Sequence, residues 1–213
     1  MVRAEKKSLM RRCLAILPAV PVMTSGVILF TKAGWGTDPF TSFEMGLAKL
    51  LSLSLGNAAL LFEGVCFFIF LAIRRRYIHF GTAAFCFGAG PCLDLASLWV
   101  EALFPSPGLA ARFFCAAVGS LFIVTSLAYY VQIDLGFQSL DMLSMLAADL
   151  TGRSYGFGLS IVYIVLTALA FLMGVSPGIG TVISAVGFGF LVNIVRPLIP
   201  VSYTHLDVYK RQE

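Results

Sequence analysis

The sequence predicts an all-α membrane protein with six transmembrane helices, arranged as two inverted repeats of three helices each. Of its 213 residues, 59% are hydrophobic and 12% are charged, whereas soluble domains have about 45–50% apolar and about 25% charged residues. The apolar runs are continuous rather than alternating, which favours spanning helices over a membrane β-barrel. The expected partner is therefore the lipid bilayer. The net charge of +4 comes mainly from basic clusters at membrane edges, so no nucleic-acid partner is expected.

The two halves of the chain resemble each other at a separation of about 100 residues. Seven residues recur at this offset: Gly36, Met45, Ala48, Leu50, Ser54, Gly56 and Val65 return as Gly136, Met145, Ala148, Leu150, Ser154, Gly156 and Val165. Three spans in each copy force the second copy to cross the bilayer in the opposite direction, as in many secondary transporters. The predicted division is a basic N-terminus (1–12), two repeats (13–105 and 106–200) and a tail (201–213).

Six stretches reach the length of about 20 mostly apolar residues that a spanning helix needs. They are 13–31, 55–73, 78–104, 109–131, 157–174 and 178–199. Cytoplasmic loops carry an excess of Lys and Arg, and an inside N-terminus places ten such residues inside and three outside. The inner set is Arg3, Lys6, Lys7, Arg11, Arg12, Arg74, Arg75, Arg76, Arg153 and Arg196; the outer set is Lys32, Lys49 and Arg112. Both termini are thus predicted to be cytoplasmic, with Arg74, Arg75 and Arg76 as a topology anchor that contacts lipid headgroups.

A short amphipathic helix is predicted after the first span of each repeat. In the first repeat Asp38 can cap the helix and Pro39 can occupy its first position. In the second repeat Ser139 is the candidate cap and Asp141 lies in the first turn. These segments are too short to cross the bilayer, so they either lie in the interface or enter the protein as re-entrant helices.

Glycines in the third and sixth spans share the spacing G-x-x-x-x-x-G-x-G. The first set is Gly81, Gly88 and Gly90, and the second is Gly180, Gly187 and Gly189. Glycines allow the backbones of two helices to approach closely. The sequence therefore predicts close pairing of the third and sixth spans.

Several of these residues carry a family resemblance. They are Gly36, Pro39, Gly46, Leu47, Ser54 and Gly56 in the first half, and Gly136, Ser154, Gly156, Gly178, Ile179, Gly180 and Thr181 in the second. The pattern resembles the YczE/YyaS/YitT group of bacterial integral membrane proteins, and the YczE-like branch fits better. Thr41 stands where this group commonly has Asp, and Ser139 replaces Pro. The resemblance implies a multi-pass protein of the bacterial cytoplasmic (inner) membrane, and it implies no settled activity.

Charged residues inside spans are candidates for function, because each costs about 2.5–3.5 kcal/mol on insertion scales. Glu63 lies in the second span, and Asp94 lies in the third with Asn193 as its repeat counterpart. These side chains either line a substrate or proton path, or form hydrogen bonds between helices. Glu63 has Tyr163 as its counterpart, so an acid in one half could couple transport to protons. A buried hydrogen bond explains Glu63 equally well.

The starts of the two short helices give a second candidate site. Two helix N-termini that approach one point would present free N–H groups to an anionic substrate. Asp38, Thr41 and Asp141 lie there and complete the candidate substrate-binding set. Simple capping is the alternative.

No motif for catalysis is found. The five cysteines lie in apolar segments without CxxC spacing and are interpreted as packing residues. There is no Ser/His/Asp set, phosphate-binding loop or metal-ligand cluster, so neither an enzyme nor a cofactor or metal is expected.

Two functions remain open on the sequence. The protein is predicted to be a small permease or exporter of a small molecule or ion, in which one repeat rocks against the other. The alternative is a non-transporting accessory protein that scaffolds a partner protein or helps it to mature. Six spans are few for a transporter, which is compatible with a homodimer. Residues 201–213 are similar to the translation of two sequencing adapters joined head to head, and are excluded from this reasoning.

Overall fold

The computed structural model describes residues 10–133 and 135–199, and these residues form helices and no strand. Six helices are long and apolar enough to span a membrane, as predicted: α1 (Met10–Lys32), α3 (Leu55–Ile73), α4 (Phe80–Leu103), α5 (Leu109–Ile133), α7 (Tyr155–Leu172) and α8 (Ile179–Leu198). Two shorter helices, α2 (Pro39–Leu51) and α6 (Ser139–Thr151), follow α1 and α5. The predicted adapter-like tail and most of the basic N-terminus lie outside the described residues.

Helices α1 and α5, the first span of each half, form the central pair. They cross at Gly26 and Gly119. A Cβ atom on Gly26 would lie 2.8 Å from the Gly119 carbonyl oxygen, and one on Gly119 would lie 2.6 Å from the Phe30 amide nitrogen. The absence of both side chains therefore allows the two backbones to touch. Val27 and Ile123 pack beside the crossing in the main apolar core.

The predicted close pairing of the third and sixth spans, α4 and α8, is wrong. Gly90 of α4 packs against Gly56 of α3, while Gly88 faces Val20 of α1. In α8, a Cβ on Gly187 would meet only a side chain of its own helix, and one on Gly189 would meet nothing within 4 Å. A glycine permits close approach but exerts no attraction, so the spacing of glycines alone does not select the partner helix.

Both short helices enter the protein with their N-terminal ends. In α2, Thr41 is 3% exposed whereas Leu50 is 66% exposed; in α6, Ser139 is fully buried whereas Leu150 is 79% exposed. Each helix ends at a left-handed residue, Ser52 or Gly152. The sequence allowed either an interfacial or a re-entrant arrangement, and the burial of the N-terminal ends of both helices favours the re-entrant one.

The two halves make matching contacts at the start of their third spans. The Gly81 amide of α4 donates to the Leu135 carbonyl at 2.8 Å, and the Gly180 amide of α8 donates to the Trp35 carbonyl at 2.7 Å. These residue pairs are repeat equivalents. In both halves the loop before the short helix therefore contacts the third span of the other half.

The ends of the short helices also contact the opposite half at matching positions. Lys49 Nζ at the end of α2 donates to the Gly174 carbonyl just after α7, at 3.1 Å. Asp149 at the end of α6 pairs with Arg74 just after α3, at 3.1 Å. The equivalent positions thus meet in both halves although the chemistry of the contact differs.

Candidate functional site

A small cavity of about 40 Å³ lies where the N-terminal end of α2 meets α1, α3, α4 and the residue before α6. It is lined by Met23, Thr24, Val27, Phe40, Thr41, Glu44, Glu63, Phe85, Ala89, Leu93 and Gln138. A buried water needs about 10–15 Å³ of such space. The cavity therefore has room for an ion or a few waters and not for a large organic solute.

Glu44 is the functional candidate that sequence reasoning missed. Its side chain lies in the cavity wall and the residue is only 3% exposed, yet its Oε1 atom has no hydrogen-bond partner among the residues that the structure describes. Glu44 was not among the candidate residues drawn from the sequence, which predicted α2 only as a short amphipathic helix. The residues of α2 that are buried in the structure are small or polar: Pro39, Thr41, Ser42, Glu44 and Gly46.

Glu63 lies in the same cavity wall and connects the two halves. It is 7% exposed and accepts a long hydrogen bond from the Ser139 hydroxyl at 3.4 Å. Ser139 begins α6 and also lies 3.4 Å from the Cys86 sulfur. The Glu63 carboxylate of the first half is thus placed beside the N-terminus of a helix of the second half, where a negative charge is stabilised.

The two carboxyl groups leave the cavity acidic. Within residues 10–133 and 135–199, no Lys or Arg lines it. Burial raises the pKa of Glu44, on the short helix α2, well above its usual value, and the negative charges of Glu63 and Asp38 raise this pKa further. Burial of two like charges in one small site is unfavourable. Of the two, Glu44 is therefore the group expected to hold a proton, because Glu63 has a hydrogen-bond donor in Ser139.

Of the remaining predicted residues, only Thr41 lines the cavity. Asp38 caps α2 by accepting hydrogen bonds from the amides of Phe40 and Thr41 at 3.1 and 3.0 Å. Asp141 accepts hydrogen bonds from the hydroxyl groups of Tyr130 and, at 2.7 Å, Tyr155. Asp141 therefore links α6 to α5 and α7.

Asp94 and Asn193 are not brought together. Asp94 accepts hydrogen bonds from the Ser54 hydroxyl at 2.7 Å and the Gly56 amide at 2.9 Å. It thereby satisfies the Gly56 amide at the start of α3, which has no partner inside that helix. Asn193 is exposed on α8. Because α4 packs on α3 and not on α8, equivalent positions in the two repeats face different surroundings.

The three consecutive arginines have different surroundings. Arg74 pairs with Asp149 across the two halves. The Arg76 guanidinium lies 5.0 Å from the centre of the Tyr77 ring and donates to the Tyr77 hydroxyl at 2.9 Å. Arg75 is exposed. Arg74 therefore joins the end of α3 to the end of α6. This contact is separate from the predicted role of the three arginines as a topology anchor.

Residues 10–133 and 135–199 contain no group of three or more His, Cys, Asp or Glu side chains placed to hold a metal ion. The acids of the cavity therefore form a pair rather than part of a larger cluster.

Comparison with known proteins gives one family and one relative. The model of a family described as "Family of unknown function (DUF6198)" matches residues 10–197. The uncharacterized protein YyaS of Bacillus subtilis (strain 168) is 28% identical over 181 residues, which cover 84% of this chain and 89% of YyaS. No solved structure shows significant similarity to the chain.

Proposed function

The chain belongs to the DUF6198 family, and from that premise we propose that it is a small permease or exporter that carries a small molecule or ion across the bilayer. The cavity formed around Glu44 and Glu63 carries this proposal. Ionisable groups inside a membrane protein are costly and commonly mark ion or substrate paths. A protein that serves only as a scaffold has no need of a buried carboxyl oxygen without a partner.

We infer that the two halves are inverted repeats and that transport occurs by rocking of one repeat against the other. The reciprocal contacts of Leu135 with Gly81 and of Trp35 with Gly180 support a two-fold relation, because each half then offers the same surface to the other. With three spans in each half, the two-fold axis would lie in the membrane plane. The distribution of Lys and Arg supports cytoplasmic termini in a bacterial inner membrane.

The inverted arrangement predicts opposite accessibility for two equivalent loops. In a variant without the five native cysteines, Leu53→Cys and Arg153→Cys place one thiol in each loop, and both positions are exposed. A membrane-impermeant maleimide should label residue 53 in intact cells and residue 153 only after permeabilisation. Labelling of both positions from the same side would overturn the inverted repeat.

Transport itself is tested with the purified chain in liposomes under an imposed pH gradient. We expect at least one solute from a panel of alkali cations, small amines and small carboxylic acids to pass faster than in empty liposomes. Glu63→Gln should reduce this flux to background, because it removes the carboxylate from the cavity. The control is Glu101→Gln, which changes an exposed acid paired with Lys32 and should leave the flux intact. Folded wild-type protein that moves no solute of the panel contradicts the proposal.

One observation favours the accessory role as a second candidate. In the most apolar 18-residue windows of α7 and α8, only 17% and 22% of residues are buried, against 50% in α1. These faces contact lipid, a second copy of the chain or another membrane protein. A photo-crosslinker at Val186, which is 77% exposed, distinguishes these cases. A stable partner protein together with an absence of flux would favour the accessory role.

A further inference from the structure

We propose that the cavity binds one small monovalent cation between the carboxylates of Glu44 and Glu63, in exchange for one proton. This inference rests on the proposed permease function and names the substrate class of its site. It has three supports, which are the charge of the pair, the unpartnered oxygen of Glu44 and the size of the cavity.

Exchange of one proton for one monovalent cation leaves the net charge of the Glu44–Glu63 pair unchanged. With one proton on Glu44, the two carboxyl groups carry a net charge of −1. When the cation enters, the O–H bond of Glu44 breaks, the proton leaves to water, and the two carboxylates with the cation again carry −1. The buried site therefore has the same net charge in both loaded forms, which avoids the cost of two unpaired charges.

Other titratable groups around the pair do not supply a positive charge. Among the described residues they are Asp38 at the start of α2, Cys66 on α3 and Cys86 on α4, while Tyr163 on α7 interacts with Asp38 and Asp141. All are neutral or negative over the ordinary range of pH. The balancing charge must therefore come from a proton or a bound cation.

Glu44 is the residue at which the exchange occurs. Its Oε1 atom is buried in the wall of a cavity without a hydrogen-bond partner in the described part of the chain, and buried polar groups are nearly always satisfied by protein, water or an ion. Glu63 already accepts a hydrogen bond from Ser139. Of the two carboxyl groups, Glu44 is thus the one with a free ligand atom, and the hydroxyl of Thr41 and the amide of Gln138 line the same space.

The size and composition of the cavity select a small monovalent ion. Sites for drug-sized molecules measure about 300–1,000 Å³, far more than the 40 Å³ found here. Calcium takes about 6–8 oxygen ligands and magnesium requires near-ideal octahedral geometry. The polar groups of this wall are two carboxyl groups, the hydroxyls of Thr24 and Thr41 and the amide of Gln138. The Thr24 hydroxyl and the Gln138 Nε2 group already donate to Val20 and Met23, which leaves an incomplete shell for a divalent ion.

The test is proton release from the full chain in lipid nanodiscs in a weakly buffered solution. Addition of sodium, potassium or lithium chloride should release about one proton per protein for at least one of these cations, while choline chloride at equal ionic strength should release none. Because one proton competes with one cation, the apparent Kd of the cation should rise about tenfold for each unit by which the pH falls below the pKa of the pair. This measurement on the wild-type protein does not depend on the folding of a variant.

Variants assign the release to the cavity. Glu44→Gln should abolish proton release and weaken cation binding by about tenfold or more, because it removes the exchanging proton and one negative ligand. Glu101→Gln, on the surface, should release as much as the wild type. The inference is overturned if the wild type releases no proton with any of the three cations, or if Glu44→Gln releases as much as the wild type.

Combination with the liposome experiment separates the two proposals. Proton release on cation binding without any flux would support the cation site and overturn the permease function. Flux of another solute by a protein that releases no proton would support the permease function and overturn the cation site.

Discussion

Replacement of Gly56 by alanine is expected to destabilise the protein by about 3 kcal/mol, at the upper end of the usual range for overpacking. The added Cβ atom would overlap the carbonyl oxygen of Gly90 and lie 2.5 Å from the carboxyl carbon of Asp94. A backbone carbonyl in the middle of α4 cannot move aside without displacing the helix. Asp94 could retreat only by giving up its hydrogen bonds to Ser54 and Gly56. Thermal or detergent unfolding of the purified variant measures this loss.

The chain supplies a matched control for this prediction. Gly156 is the repeat equivalent of Gly56, and a Cβ atom on Gly156 would meet nothing within 4 Å. Gly156→Ala should therefore be neutral or slightly stabilising, since alanine favours helix over glycine by about 1 kcal/mol. Equal destabilisation by the two substitutions would show that the crossing of α3 and α4 is not the cause.

Replacement of Glu44 by methionine is expected to raise stability while it reduces transport to background. A buried polar atom without a partner costs about 1–3 kcal/mol, and methionine fills a similar volume without that cost. We therefore expect a gain of about 1–3 kcal/mol in the free energy of unfolding. Transport should be lost together with the exchanging carboxyl group, as is common where function maintains an unfavourable group.

Unfolding and liposome flux measured on the same preparation test both halves of this expectation. The control is Glu101→Met, at a surface acid whose side chain is 65% exposed; it should give no comparable gain in stability and no loss of flux. A less stable Glu44→Met variant would show that Glu44 has a structural partner, and unchanged flux would remove it from the transport path.

The sequence and the structure agree on the positions of the helices. All six predicted spans coincide within a few residues with helices of the structure. The length of an apolar stretch is a local property of the sequence, and it must match the thickness of the bilayer core. The cap at Asp38 was also predictable, since Asp followed by Pro starts a helix through contacts with the next few residues.

The orientation of the short helices was not predictable by the rules for soluble proteins. In α6 the buried residues include Ser139 and Ser144, while Leu140 and Leu143 are only partly buried. The same holds for α2, where Glu44 is inside and Phe43 only partly buried. Lipid solvates the apolar face of such a helix, so the small and polar face can be the one that packs into the protein.

By itself, the sequence determined the membrane class of this protein, the number and limits of its spans, and the start of α2. Only the tertiary structure decided that Gly56 and Gly90 cross while their counterparts do not, that Asp94 caps a helix, and that Glu44 joins Glu63 in one cavity. The first group depends on neighbours along the chain. The second depends on which distant segments meet, and a repeated residue has a repeated role only where its surroundings are repeated too.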